Sequence, residues 1–249
     1  MAEEYVLAFR NAMEEWQTAS DRQSLAAYNN AVSFMLIAIK KAGQVVPRFH
    51  SLLAMMYYEM AECQAKAGGR NAEKLANQSL ASAQQQATLA LQNNPLEFRA
   101  HLVKTWIAGD NVLFLKGGAS NLLPTSRGFA EALGETFGRA IGTSIAAAQS
   151  QTSKSNFKKE VTKLLDTFNT WFGDYYVDAT EFVFAATNLM SLADVCSEDK
   201  LFETRKIYAG IANVNLDDLQ YDDVPPDELE DLQQEVYRIR VLAEGRSLM

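Results

Sequence analysis

The chain has 249 residues, of which 48% are apolar and 22% charged, and it carries a formal net charge of −8. This length and apolar content are sufficient for a full hydrophobic core, and they exclude a chain that is disordered throughout or that needs disulfides or a metal to fold. The N-terminus is acidic where a secretory signal would be basic, and no apolar run approaches the roughly 20 residues that span a bilayer. We therefore expect a soluble, cytoplasmic protein without a transmembrane segment.

Apolar residues recur at helical spacing along the first half of the chain, and no segment alternates as a strand would. Gly43 is placed to end one helix, and Pro47 and Pro95 suit the first turns of the helices that follow them. Ser20 and Asp21 are candidate caps between the first two helices. The predicted helices cover residues 4–19, 22–43, 47–67, 71–91 and a fifth from 95 to between 109 and 116.

These helices resemble a repeat. Pro47 and Pro95 are 48 residues apart, and each follows an alanine-rich helix. The helix after each proline carries three large side chains at a spacing of four, which places them on one face. These trios are Phe49, Leu53 and Tyr57 in one helix, and Phe98, Leu102 and Trp106 in the other. Two stacked antiparallel helical hairpins would account for this pattern.

The run from Leu89 to Ala100 resembles the junction between tetratricopeptide repeats, where an alanine and a proline precede an aromatic-bearing first helix. The resemblance covers about residues 22–116. Its period of 48 residues exceeds the family's period of about 34, and Tyr57 and Thr105 occupy positions of a small glycine. In that family the first helix of each hairpin lines a groove for a protein partner. The resemblance therefore implies partner-binding roles for Ser51, Tyr58, Glu62, Arg99, Trp106 and Asp110.

Residues 117–127 read as a loop and a domain boundary, followed by a helix with an unusual stripe of small residues. Each glycine inside a helix costs about 1 kcal/mol relative to alanine, so three in register indicate a backbone packed very close. Close packing within the fold or against a second copy is the simpler interpretation, and contact with a membrane surface is the alternative. The stripe consists of Ala130, Gly134, Gly138, Gly142 and Ala146.

Residues 155–195 carry an aromatic and apolar stripe that advances by 3.6 residues per step, as one face of a long helix would. Gly173 lies at a point where this helix could bend or divide. Asp174, Asp178 and Glu181 follow at spacings that would stack three carboxylates on one helical face. Such a stack could act as an acid–base pair or hold a cation, although a solvated stripe is the simpler interpretation.

The chain's excess negative charge is concentrated near its end. Residues 213–249 contain ten acidic and three basic residues, and the eight acidic residues between 217 and 231 have no basic residue among them. Those that begin the last predicted helix, from Pro226 to before Gly245, complement its dipole. The others suggest a docking strip for a basic partner: Asp217, Asp218, Asp222 and Asp223.

No residue pattern indicates a cofactor. His50 and His101 have no metal-ligand companions at helical spacing, and phosphate-loop and hydrolase signatures are absent from the sequence. Without a clustered basic stripe, nucleic acid is excluded as an expected partner. The sequence thus predicts an all-α protein with a helical-hairpin region at 1–116, a loop at 117–127, and a helical region at 128–249 containing an acidic segment, residues 213–231.

We therefore expect a scaffold, adaptor or assembly factor that binds another protein, through the helical groove, the acidic segment or both. A homo-oligomer is compatible with the small-residue stripe. Two alternatives remain open at this stage. One is a helical enzyme or ligand-binding protein that uses the three carboxylates, and the other is a protein associated with a membrane surface.

Overall fold

The computed structural model describes residues 2–68, 71–114, 145–174, 177–199, 202–222 and 224–248. Within these ranges the chain is all-α, as predicted, with a single pair of two-residue strands. The helices are α1 Ala2–Arg22, α2 Leu25–Ala42, α3 Pro47–Ala67, α4 Ala72–Asn93, α5 Phe98–Phe114, α6 Ile145–Asp174, α7 Ala179–Asp199, α8 Thr204–Ala212 and α9 Pro226–Ser247. The strands are β1 Val177–Asp178 and β2 Leu219–Gln220.

Local sequence explains where the first helices begin and end. Gln23 adopts a left-handed conformation that ends α1, and the Ser24 hydroxyl accepts a hydrogen bond from the Ala27 amide at the start of α2. Ser24, and not the predicted Ser20 or Asp21, is therefore the cap. Gly43 is left-handed after α2, and Pro47 occupies the first turn of α3, both as predicted.

The predicted start of α5 at Pro95 is wrong by three residues. The Asn94 side chain accepts a hydrogen bond from the Leu96 amide, and the Glu97 amide donates to the Asn94 carbonyl. Asparagine often forms turns of this kind. Residues 94–97 consequently form a turn, and α5 begins at Phe98.

The described residues divide into two compact units, one containing those up to 153 and the other those from 154 onward. In the first unit, α1 packs on α2 and α3 packs on α4, and these two hairpins stack through α2 and α3. Helix α5 then packs against both α3 and α4. The buried face of α4 is made of small residues, which lets α3 approach closely: Ala76, Ser79, Ala83, Ala87 and Ala90.

The second unit is built around the aromatic stripe, whose described members are buried as predicted. The stripe is divided between two helices. The ring centroids of Phe172 on α6 and Phe182 on α7 are 5.5 Å apart. Ten residues of a continuous helix would separate them by about 15 Å, so the chain folds back after Asp174. Near this reversal β1 pairs in parallel with β2, joining Val177 to Leu219.

Helix α9 covers α7 and α8 in the second unit. Its start at Pro226 matches the prediction, and Asp227 and Glu228 lie in its first turn. Near the other end, Arg246 donates to the carboxylate of Asp194 and the hydroxyl of Tyr208. This contact holds the end of α9 against both neighbouring helices.

Candidate functional site

The groove implied by the tetratricopeptide resemblance is closed in this structure. Ser51, Tyr58 and Glu62 on α3, and Arg99 and Trp106 on α5, are all buried, and Asp110 on α5 is half-buried. These residues therefore contribute to the interior of the first unit and leave little side-chain surface exposed to a partner.

The structure brings four of these six residues together between α3 and α5. The Tyr58 hydroxyl donates a 2.6 Å hydrogen bond to the Asp110 carboxylate, and the Tyr58 and Trp106 ring centroids are 5.2 Å apart. Burial, followed by the nearby carboxylates of Asp110 and Glu62, raises the pKa of Tyr58 well above its ordinary value. The tyrosine therefore remains a protonated donor.

Ser51 lies apart from this group and donates a 2.8 Å hydrogen bond to Glu97, just before α5.

Glu59 is a buried carboxylate that the sequence reasoning missed. One of its oxygens accepts hydrogen bonds from the Trp16 indole at 2.8 Å and the Tyr28 hydroxyl at 3.1 Å. Burial raises the pKa of Glu59, while these two hydrogen bonds oppose the shift. The available signal was a single acidic residue in the otherwise apolar run from Leu52 to Ala61.

Polar side chains also join α3 to α4. His50 Nδ1 lies 2.7 Å from the Gln86 side-chain oxygen, and Ser79 donates a 2.9 Å hydrogen bond to Gln64. Together with the bonds of Glu59, Tyr58 and Ser51, they give α3 polar contacts with α1, α2, α4 and the α5 region. His101 Nε2 lies 2.9 Å from the Pro95 carbonyl oxygen. The described residues contain no cluster of His, Cys, Asp and Glu able to hold a metal ion.

The three carboxylates of the aromatic region do not share one helical face, so that prediction is wrong. Asp174 ends α6, Asp178 lies in β1, and Glu181 lies in α7. The Asp178 carboxylate accepts hydrogen bonds from the amides of Thr180 at 2.7 Å and Glu181 at 3.3 Å, which caps α7. Asp178 followed three residues later by Glu181 has the spacing of a capping box, which was the overlooked signal.

Further sequence-based features are the two cysteines, the helices as possible membrane spans, and the small-residue stripe. Cys63 and Cys196 are buried and form no disulfide, and burial raises the pKa of Cys196 to about 12. No helix among the described residues is long and apolar enough to cross a membrane. In the small-residue stripe, Ala130, Gly134, Gly138 and Gly142 lie outside the described residues, and Ala146 is described only as part of α6.

The acidic segment is ordered in its described part. Asn215 caps a short 3-10 turn, Leu216–Asp218, and its side chain donates to Asp218 at 3.0 Å. The next residue, Leu219, is buried and pairs with β1. Asp217 and Asp222 are exposed, Asp218 is half-buried, and Asp223 lies outside the described residues. The segment therefore presents carboxylates from a backbone that is held in place.

Two surface depressions flank this segment within the second unit. One cleft contains three carboxylates, those of Asp178, Glu228 and Asp231, beside apolar Val224 and Leu232. The other is a groove between residues 213–217 and α9. Tyr237 and Val241 line this groove and remain 65% and 48% exposed.

Comparisons of the chain with protein-family models, curated proteins and solved structures found no match. The resemblance to tetratricopeptide repeats therefore stays a prediction.

Replacing Tyr58 with phenylalanine is expected to lower the free energy of unfolding by about 1–3 kcal/mol, because the half-buried Asp110 carboxylate loses a hydrogen-bond donor. Tyr57→Phe is the matched control, since the neighbouring hydroxyl makes no hydrogen bond within the described ranges. Urea unfolding monitored by circular dichroism measures both. Equal losses in the two variants would contradict a specific role for the Tyr58–Asp110 bond.

The difference in free energy of unfolding between the parent chain and the Glu59→Gln variant is expected to shift against the parent as the pH rises. Burial raises the pKa of Glu59 above its ordinary value of 4.5, so the folded state holds the proton more tightly than the unfolded state. The stabilising contribution is present below that value and is lost as the pH rises through the folded pKa. Urea unfolding at about pH 5 and about pH 8 compares the two proteins. A pH-independent difference would show that Glu59 titrates alike in both states.

Replacing Asp178 with alanine is expected to reduce the free energy of unfolding by about 1 kcal/mol, because α7 loses its cap. Asp178→Ser retains a capping oxygen and is expected to recover most of the loss. Thermal unfolding of the two variants and the parent provides the comparison. If serine is as damaging as alanine, the carboxylate has a role other than capping.

Proposed function

We propose that this protein binds a basic protein partner through an acidic docking face on its second unit. We define this face by the acidic segment, the first turns of α9 and the groove containing Tyr237 and Val241. The observation that carries the proposal is a set of exposed carboxylates that form no ion pair with any described residue, beside exposed apolar side chains on an ordered surface. Arg240, which also lines the groove, is paired with Glu244.

The charges of this face remain available to a partner. Asp222, Asp227, Glu228 and Asp231 are exposed and form no ion pair with any described residue. Residues 213–249 hold ten acidic residues against three basic ones, so like charges accumulate on this part of the chain. A partner with lysine or arginine side chains would relieve that repulsion and be attracted over a distance.

Apolar side chains give the face an anchor that charge alone would not supply. Tyr237 and Val241 lie one turn apart on α9 and line the same groove. Exposed tyrosine is common among residues that dominate binding energy at interfaces. The 3-10 turn and β2 already fix the opposite wall of the groove. Binding would therefore cost little conformational entropy at this site.

The helical groove implied by the repeat resemblance supports this function less well. Tyr58, Trp106 and Asp110 contact one another there, and Ser51 is bonded to Glu97. A partner binding at these residues would first have to separate α3 from α5. The acidic docking face requires no such rearrangement.

Neutralising four carboxylates is expected to abolish partner capture. The variant combines Asp217→Asn, Asp222→Asn, Glu228→Gln and Asp231→Asn in the full chain, used as bait for cross-linked capture from native lysate. A control variant with the same change in net charge combines Glu14→Gln, Asp21→Asn, Glu73→Gln and Asp166→Asn, all at exposed positions. The protein captured by the parent chain should be lost with the first variant only.

Two further measurements sharpen this test. Binding of the purified partner should weaken as salt concentration rises, because exposed charges are screened. Tyr237→Ser should weaken it at every salt concentration, since it removes the apolar anchor. A partner retained by the neutralised chain, or lost equally with the control, would contradict the acidic docking face.

A further inference from the structure

We propose that the outer face of the α1–α2 hairpin binds a second copy of this chain. This surface lies in the first unit and does not depend on the acidic docking face. Its outward side carries Leu7 on α1 and Ile37 on α2, which we call the hairpin patch. Val6 and Leu36 are also exposed, but each adjoins a patch residue in sequence and therefore points about 100° away around its helix, toward an edge of the hairpin. Leu7 and Ile37 are 59% and 42% exposed.

The register of the hairpin places these side chains at one level. Glu4 contacts Lys41 at 2.9 Å, and Asn30 donates a 3.3 Å hydrogen bond to Glu15. Because α1 and α2 are antiparallel, a step forward along α1 matches a step backward along α2. Leu7, three residues after Glu4, therefore lies level with residues 37 and 38 of α2. The patch therefore spans both helices about one turn from the Glu4–Lys41 ion pair.

The patch faces away from the rest of the first unit. The opposite sides of α1 and α2 are occupied by contacts with α3, including the stacked rings of Phe9 and Phe49 at 5.0 Å and the bonds of Trp16 and Tyr28 to Glu59. Both helices thus turn one side toward α3 and the other outward. The outward sides together form a two-helix layer without a covering element among the described residues.

Charge complementarity favours a second copy as the occupant. A two-fold axis parallel to the hairpin would set α1 of each copy over α2 of the other at the same level. Glu4 would then face Lys41 of the second copy, and Leu7 would face its Ile37. Arg10 and Glu14, further along α1, would meet uncharged Ser33 and Asn30, so like charges do not oppose each other. The pairing buries the hairpin patch and brings the Glu4–Lys41 ion pair of each copy beside that of the other, so that opposite charges alternate.

Sedimentation velocity over a wide range of chain concentration tests this association. The parent chain should form a dimer, and Leu7→Asp or Ile37→Asp should raise its dissociation constant by about tenfold or more, since a charge would be buried against apolar surface. Leu75→Asp is the matched control, because Leu75 is an aliphatic residue on α4 that is 44% exposed. A parent chain that remains monomeric, or a dimer equally sensitive to Leu75→Asp, would overturn the proposal.

Disulfide trapping tests the geometry. Leu7→Cys and Ile37→Cys are made in separate chains, which are mixed under mild oxidation, and both natural cysteines are buried. The mixed pair should cross-link faster than either variant alone, because the axis sets Leu7 against Ile37. Equal rates, or faster cross-linking of identical variants, would overturn this arrangement.

A membrane surface is the competing occupant, since Lys40 and Lys41 flank the patch. Flotation with vesicles of phosphatidylserine and phosphatidylcholine distinguishes it. Binding of a monomeric parent chain that is lost in Leu7→Asp would overturn self-association, whereas absence of flotation together with a dimer supports it.

Discussion

The first unit depends on one buried carboxylate and the two donors that hold it. Glu59 has lost most of its hydration, and its charge is tolerable only because Trp16 and Tyr28 replace part of that water. Those donors come from α1 and α2, so the bond also specifies how the first hairpin sits on α3. Apolar packing alone would allow α3 to slide or rotate by small amounts. The hydrogen bonds from α3 to α4 and to the α5 region prevent the same sliding and rotation on the other sides of α3.

The sequence was informative wherever a local cause decides the structure. Gly43, Pro47 and Pro226 mark helix ends because their backbone preferences act without help from the rest of the fold. The aromatic stripe revealed which side of α6 and α7 is buried, because helical periodicity is a local property. It could not reveal that the chain reverses after Asp174, since a divided helix keeps the same apolar pattern on both halves.

Candidate site residues were less predictable because their role depends on distant partners. Tyr58 and Asp110 occupy helix positions that a repeat would turn toward a groove, yet they are bonded to each other across 52 positions of sequence. Asp178 was grouped with Asp174 and Glu181 by spacing, although its carboxylate instead caps the next helix. For the acidic segment, composition indicated the charge, but the buried Leu219 and its pairing with β1 are tertiary features.

The pairing of β1 with β2 bears on the docking role that we propose for the acidic segment. Val177 and Leu219 are joined in parallel, and α7 and α8 lie between them in the chain. The backbone path of the segment therefore depends on a contact with a part of the chain that is distant in sequence. A free peptide with the same residues would retain the charge but lose the direction in which each carboxylate points. The docking role that we propose for the segment therefore requires the folded unit and could not be carried by the linear sequence alone.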